Sequence, residues 1–269
     1  MQSQTVELSQ ERENAVRSLR AGRFLIHYGY ARATESRAAN EPGQDYLSLR
    51  FDDRRLVFAL CDGVSLSFYG NLAARILGNS MVEWLWSQAK PLSGREKTAQ
   101  ALREFLGELT KEADKQIEAY SLPADLPPLV AEVLDHKRAW GSETTLVCGR
   151  LDLPDEVSPG VIMLAWLGDS RLRLWSAQGE RTAELGDAFK TEQRWSTKRG
   201  IIGGEPNLFL EGLSRFGSIR RVLAYSDGLA LLDSIQDALD ATYLQGLIDQ
   251  AGEAANSDDI SVLEVMWQD

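Results

Sequence analysis

Aspartates recur in this sequence at the ends of apolar runs. Asp62-Gly63 follows Val57-Phe58-Ala59-Leu60-Cys61, and Asp227-Gly228 follows Val222-Leu223-Ala224-Tyr225-Ser226. Asp258-Asp259 precedes Ile260-Ser261-Val262, Gln44-Asp45 stands just before Tyr46, and Asp169 lies in Gly168-Asp169-Ser170-Arg171. A rigid strand fixes where its terminal residue points, so strands ending on one edge of a sheet converge their carboxylates. Crowded carboxylates repel one another unless cations neutralise them. Two divalent ions ~3.5–4 Å apart, bridged by an aspartate and a hydroxide, suit phosphoester hydrolysis. The glycines after Asp62 and Asp227 permit tight turns and let a backbone carbonyl approach a metal. Taken singly, each station has a plainer reading. Asp-Gly at a strand end is a turn, Asp258-Asp259 beside Asn256 and Ser257 a solvated loop, and the segment around Asp169 a hairpin turn. Composition and spacing leave both readings open.

The rest of the composition narrows the chemistry. The chain has 269 residues but only two histidines, His27 and His136. Zinc hydrolases and histidine triads need clustered imidazoles, so a metal site here takes carboxylate ligands, which suit Mg²⁺ or Mn²⁺. Cys61 and Cys148 are too few for a disulfide framework and read as small buried hydrophobes of a reducing compartment. A net charge of −11 disfavours nucleic acid as a partner, because Lys and Arg supply most of that affinity. No run approaches the ~20 apolar residues a membrane span needs, and residues 1–23 lack the apolar core of a secretory signal. The expected location is cytoplasmic.

The elements that must position these residues follow from periodicity. Residues 1–23 read as a short helix or mobile arm, and 24–269 as one domain. Strands are expected at 24–31, 46–51, 55–61, 144–151, 161–167, 171–175, 219–225 and 260–267, with a loop over 34–44. Helical spacing marks 72–86, 97–120, 129–138, 229–232 and 241–251. Residues 178–218 show no firm period and suggest a flap or lid. Strands and helices come in blocks, which predicts an α+β fold with antiparallel sheet, not a doubly wound one.

Read in order, the motifs resemble those of the type 2C (PPM) metal-dependent Ser/Thr protein phosphatases. That family has an Asn/Glu/Gln-Asp element, an apolar strand ending in Asp-Gly, a Gly-Ser-Thr-like strand, Gly-Asp-Ser-Arg, Ser-Asp-Gly, and Asp-Asn-Ile-Thr before a last strand. Here these correspond to Gln44-Asp45, Asp62-Gly63, Gly141-Ser142-Glu143-Thr144-Thr145, Gly168-Asp169-Ser170-Arg171, Ser226-Asp227-Gly228 and Asp258-Asp259-Ile260-Ser261-Val262. The resemblance implies a sandwich of two antiparallel sheets flanked by helical pairs. It also implies hydrolysis of phosphoserine and phosphothreonine by a metal-bridging hydroxide, without a phosphoenzyme. Asp62 would bridge two Mn²⁺ or Mg²⁺ ions, the Gly63 carbonyl would bind one, Asp227 and Asp258 would hold the other, and Asp45 would act through the water shell. Arg37 is the best positional match for the family's phosphate-binding arginine, and its guanidinium fork suits a phosphate. Glu41-Pro42-Gly43 intervenes as an insertion, so a solvated loop arginine is the alternative. The partners implied are a phosphoprotein substrate and a Ser/Thr kinase.

Two departures matter. Val64 stands where many relatives continue with Gly or His, which removes a histidine general acid. Leu231 stands where bacterial relatives often carry an aspartate that holds a third metal with the residue matching Asp169, which argues against a third ion. In the flap, Arg194, Trp195, Lys198 and Arg199 would contact a phosphoprotein through a local basic patch or form an ordinary solvated loop. The rival functions are a pseudophosphatase that binds a kinase or phosphoprotein without hydrolysis, and a sensor module that docks a partner through residues 1–23.

Overall fold

The computed structural model describes residues 2–88, 94–187, 189–213, 217–235, 239–254 and 256–268. The first elements are β1 (Gln4–Glu7), β2 (Asn14–Ala21), β3 (Phe24–Ala31), α1 (Thr34–Ala39), β4 (Tyr46–Phe51) and β5 (Arg55–Cys61). Three helices follow, α2 (Gly70–Ser87), α3 (Arg95–Glu118) and α4 (Pro128–Trp140), then β6 (Glu143–Thr144), β7 (Leu146–Asp152), β8 (Val161–Leu167) and β9 (Arg171–Ser176). The chain continues through β10 (Gly179–Glu180), β11 (Arg194–Ser196), β12 (Gly200–Ile202), β13 (Asn207–Gly212) and β14 (Ile219–Tyr225). A 3-10 segment (Asp227–Ser234), α5 (Ala241–Gly252) and β15 (Ile260–Trp267) close it.

Two antiparallel six-stranded sheets stack face to face, ordered β1-β4-β5-β7-β8-β13 and β10-β9-β14-β15-β3-β2. Successive side chains of a strand point to opposite faces, and β5 shows what that demands of the sequence. Leu56, Phe58 and Leu60 enter the core between the sheets with Ile26, Leu47, Leu164 and Val265. Val57, Ala59 and Cys61 face the other way, against Leu77 and Met81 of α2 and Leu102 and Leu106 of α3. A strand covered on both faces reads as a continuous apolar run, which is why β5 was legible. The second sheet is covered on its outer face by α5, where Leu244 and Ile248 meet Leu223, Tyr225 and Val262. The α+β sandwich expected from sequence is the fold found.

Two expectations change. Residues 2–23 form neither a helix nor a free arm. β1 pairs with β4 and β2 with β3, so both are sheet edges. Edge strands have little covered surface and carry charges, so β2, with Arg17 and Arg20 exposed, escapes an apolar-period count. The stretch 178–218 is also more regular than expected where it is described. β13 is the edge strand beside β8, and β11 and β12 form a small sheet with β6. These strands are short and separated by glycine turns, which hides their period. Residues 188 and 214–216 of that stretch lie outside the described residues. Residues 34–44, read as a loop, contain α1, which stops at Asn40 in the left-handed region (φ 55).

Trp195 fastens β11 to the helical layer. It is fully buried, packs in the core beneath α2 and α3, and its Nε1 donates to Thr110 Oγ1 of α3 at 3.1 Å. Trp195→Ala is expected to destabilise the protein by about 3–5 kcal/mol. The check is a lower urea midpoint at unchanged slope.

Candidate metal centre

Asp62 directly follows β5, and the strand edge beside it fixes its backbone. The Asp62 carbonyl accepts from Thr145 N and Thr144 Oγ1, both at 2.8 Å, and its N–H donates to Thr145 Oγ1 at 3.2 Å. Gly63 donates to the Gln44 carbonyl at 3.3 Å, and an added Cβ there would lie 2.5 Å from the carbonyl carbon of Gly70. Only glycine allows that approach of two chain segments. Asp169 comes from the β8–β9 turn and Asp227 from the first residue of the 3-10 segment after β14. One carboxylate oxygen from each of Asp62, Asp169 and Asp227 lies within 4.8 Å of the other two.

More acid surrounds this trio. Burial raises the Asp62 carboxyl well above its usual range, and the charges of Asp45, Asp227, Asp258 and Asp169 add to that. Asp227 is raised by desolvation, then by Asp258 and Asp169. Asp45 is only 1% exposed, and its carboxylate is buried with no partner but the nearby Ser226 and Ser261 hydroxyls. Burial, then Asp259 and Asp258, push its pKa up strongly. None of Asp45, Asp62, Asp169, Asp227 and Asp258 forms an ion pair with a described lysine or arginine.

A buried carboxylate without partners is costly, and a cluster of them more so. Divalent cations are the natural remedy, and an all-oxygen donor set fits hard ions such as Mg²⁺ or Mn²⁺. The residues present therefore fit the two-metal expectation. The structure draws Asp62 and Asp227 together, while Asp258 and Asp45 lie outside that trio, near enough for their charges to act on Asp62. It adds Asp169, which the sequence reading held only as a fifth candidate, to the inner trio.

Arg37 lies outside the acidic cluster, on α1. It is exposed, and its guanidinium donates to the Gly252 carbonyl at 2.5 Å and to Thr34 Oγ1 at 3.1 Å. Thr34 in turn bonds Ser257 Oγ at 2.7 Å, so both residues brace the loop that leads to Asp258. The flap cations are also engaged. Lys198 pairs with Asp114 and Glu118, each at 3.0 Å, and Arg194 and Arg199 both bond the buried Glu143. Phe68 is fully buried, against Tyr69 and Tyr120.

Sequence reasoning assigned no role to Asp259, the neighbour of a proposed ligand. Its Oδ1 accepts Ala33 N at 2.6 Å and its Oδ2 accepts Gln44 N at 2.5 Å. It thereby holds the segment that carries Asp45. The available signal was its position, where the related motif has Asn.

No protein-family model and no curated protein matches the sequence. Solved structures do match. A Ser/Thr phosphatase, Stp1 from Staphylococcus aureus, aligns with TM-score 0.59 at 14% identity over 94% of this chain and 99% of its own. A serine-threonine phosphatase 2C from Toxoplasma gondii aligns with TM-score 0.55 at 12% identity over 98% and 99%. The catalytic domain of the Ser/Thr phosphatase PstP, in complex with two manganese ions, aligns with TM-score 0.52 at 17% identity over 99% and 100%. At these identities the likeness is one of fold, and it spans the whole chain: the protein has the fold of the type 2C Ser/Thr phosphatases.

Proposed function

We propose that this chain is a metal-dependent phosphatase acting on phosphoserine and phosphothreonine in proteins. The observation that carries the reading is the convergence of Asp62, Asp169 and Asp227 within 4.8 Å, beside the buried Asp45. Two divalent cations held there would activate water for in-line attack on phosphorus and clamp the phosphate oxygens. The chain's own part is placement. The Asp62 backbone is pinned by Thr144 and Thr145, so its carboxylate sits where it can span two ions. Gly63 would offer its carbonyl to one ion, Asp227 and Asp258 would hold the other, and Asp45 would act through the water shell. Val64 donates its N–H to the Glu143 carbonyl and has no side-chain proton to give, so leaving-group protonation falls to water. The substrate is a phosphoprotein, and a Ser/Thr kinase is the matching partner.

The second reading, a pseudophosphatase, draws on Val64 and Leu231. The crowded carboxylates weigh against it, since no described lysine or arginine pairs with them and a bound divalent cation would offset their repulsion. The test is hydrolysis of a phosphothreonine peptide with Mn²⁺, with Mg²⁺ and with chelator, beside the melting temperature in each. Metal-dependent turnover is expected, with Mn²⁺ at about 100 times its Kd stabilising the fold by about 2.7 kcal/mol. Stabilisation without turnover would favour the pseudoenzyme. Neither effect in folded protein would sink the enzyme reading and leave the pseudoenzyme.

A further inference from the structure

A cavity of about 620 Å³ opens beside the acidic cluster, between the 3-10 segment and the end of α5. Asp227 and Asp258 form one end of it, so it continues directly from the metal centre. Apolar side chains of Leu231, Ala251 and Ala254 share its wall with the polar groups of Ser234, Gln250 and Asn256. No lysine, arginine or histidine is among the described residues lining it. Leu231 is 40% exposed, one of eight large apolar side chains open to solvent among the described residues.

We propose that this cavity receives the residue next to the phosphorylated one in a protein substrate, and that it selects an apolar side chain and rejects an acidic one. The inference rests on the phosphatase reading and adds a substrate class to it. Once the phosphate is at the metal centre, the chain on either side of it must leave across the surface, and this cavity begins at two of the centre's carboxylates. An apolar side chain there covers Leu231 and the two alanines, removing apolar surface from water. A carboxylate there loses its hydration against Leu231 and the two alanines, with no lysine, arginine or histidine among the described lining residues to pair with. Gln250 suits the peptide main chain, which needs a hydrogen-bond partner wherever it is desolvated.

The experiment compares two phosphothreonine peptides that differ only in the residues flanking the phosphothreonine, leucine in one and aspartate in the other. Wild type, Leu231→Ala and Leu231→Arg are assayed with Mn²⁺, and each variant is read as the ratio of kcat/KM for the two peptides, so any change at the metal centre cancels. Wild type should favour the leucine peptide about tenfold, chiefly through KM, as expected for a single side chain in an apolar pocket. Leu231→Ala should bring the ratio towards one, and Leu231→Arg should reverse it. Independently of turnover, the Leu231 methyl resonances of the metal-free protein should shift on titration with the unphosphorylated leucine peptide and not with the aspartate one. Hydrolysis with a ratio near one in wild type, or a ratio indifferent to Leu231→Arg, overturns the subsite alone. Failure to hydrolyse either peptide or p-nitrophenyl phosphate overturns the phosphatase reading and the subsite with it.

Discussion

Asp62→Asn is expected to cut metal-dependent turnover by about 10³-fold or more while raising the melting temperature of the metal-free protein. The two effects share one cause. Asp62 sits among Asp45, Asp169, Asp227 and Asp258, whose charges all push its pKa upward after burial has done so. With metal bound, that charge density is the ligand field, and losing several kcal/mol of electrostatic stabilisation costs tenfold in rate for each 1.36 kcal/mol. Without metal it is plain repulsion, and an amide relieves it. The pH dependence supplies the control. Asp45, Asp62, Asp227 and Asp259 all have pKa values raised by burial first. The native state then binds more protons than the unfolded one, so stability falls as pH rises from about 4 through the raised values. Glu13, Glu180 and Glu184 are lowered, chiefly by hydrogen bonds from Arg32, Arg173 and Arg181. Their contribution is lost only below about 4.5, which leaves the range above to the cluster. Chelated wild type should therefore melt higher at pH 5 than at pH 8, and Asp62→Asn should flatten that slope. A melting temperature that rises with pH in chelator, or full Mn²⁺ stabilisation of the variant, would count against a metal-binding cluster.

The sequence made legible what is fixed by local cover. β5 shows as an unbroken apolar run because the second sheet lies on one face and α2 and α3 on the other, and the run ends in the aspartate it positions. The same logic exposed β8, β14 and β15. It failed at β1 and β2, where one edge of each strand is unpaired and charged residues are tolerated. It failed again at β11–β12, whose order comes from a distant contact, Trp195 with Thr110, and not from period. Within the site, Asp62 and Asp227 stand at strand ends and could be read directly. Asp169 looks like any hairpin turn until the fold brings it beside them. Arg37 was read from its place in the sequence alone, and its hydrogen bonds in the fold run to Gly252 and Thr34.

Asp259→Ala is expected to cost about 2–4 kcal/mol of stability and to weaken Mn²⁺ binding by about 10–100-fold, with Asp259→Asn far milder in both. Alanine strips the acceptor from Ala33 N and Gln44 N together, and each unsatisfied, part-buried N–H costs about 1–3 kcal/mol. Metal affinity follows because the Gln44 N–H fixes the segment on which Asp45 sits, while the Gln44 carbonyl accepts from Gly63. Losing an outer-shell partner of a metal site typically costs about 10–100-fold in affinity or activity. No rearranged water or side chain has easy access, since even a Cβ on Gly43 would come within 2.7 Å of Asp259 Oδ1. Asparagine keeps one acceptor oxygen and removes a charge that pushes up Asp45, so part of its loss is offset by relieved repulsion. The measurement is a Mn²⁺ titration of melting temperature for wild type and both variants. Equal effects of alanine and asparagine would show that the charge of Asp259 matters and its hydrogen bonds do not. An unmoved Mn²⁺ midpoint in Asp259→Ala would show that the Gln44–Asp45 segment holds its place without it. The expected order, wild type near asparagine and alanine well below, ties the last strand of the fold to the metal centre through one carboxylate that need not touch a metal.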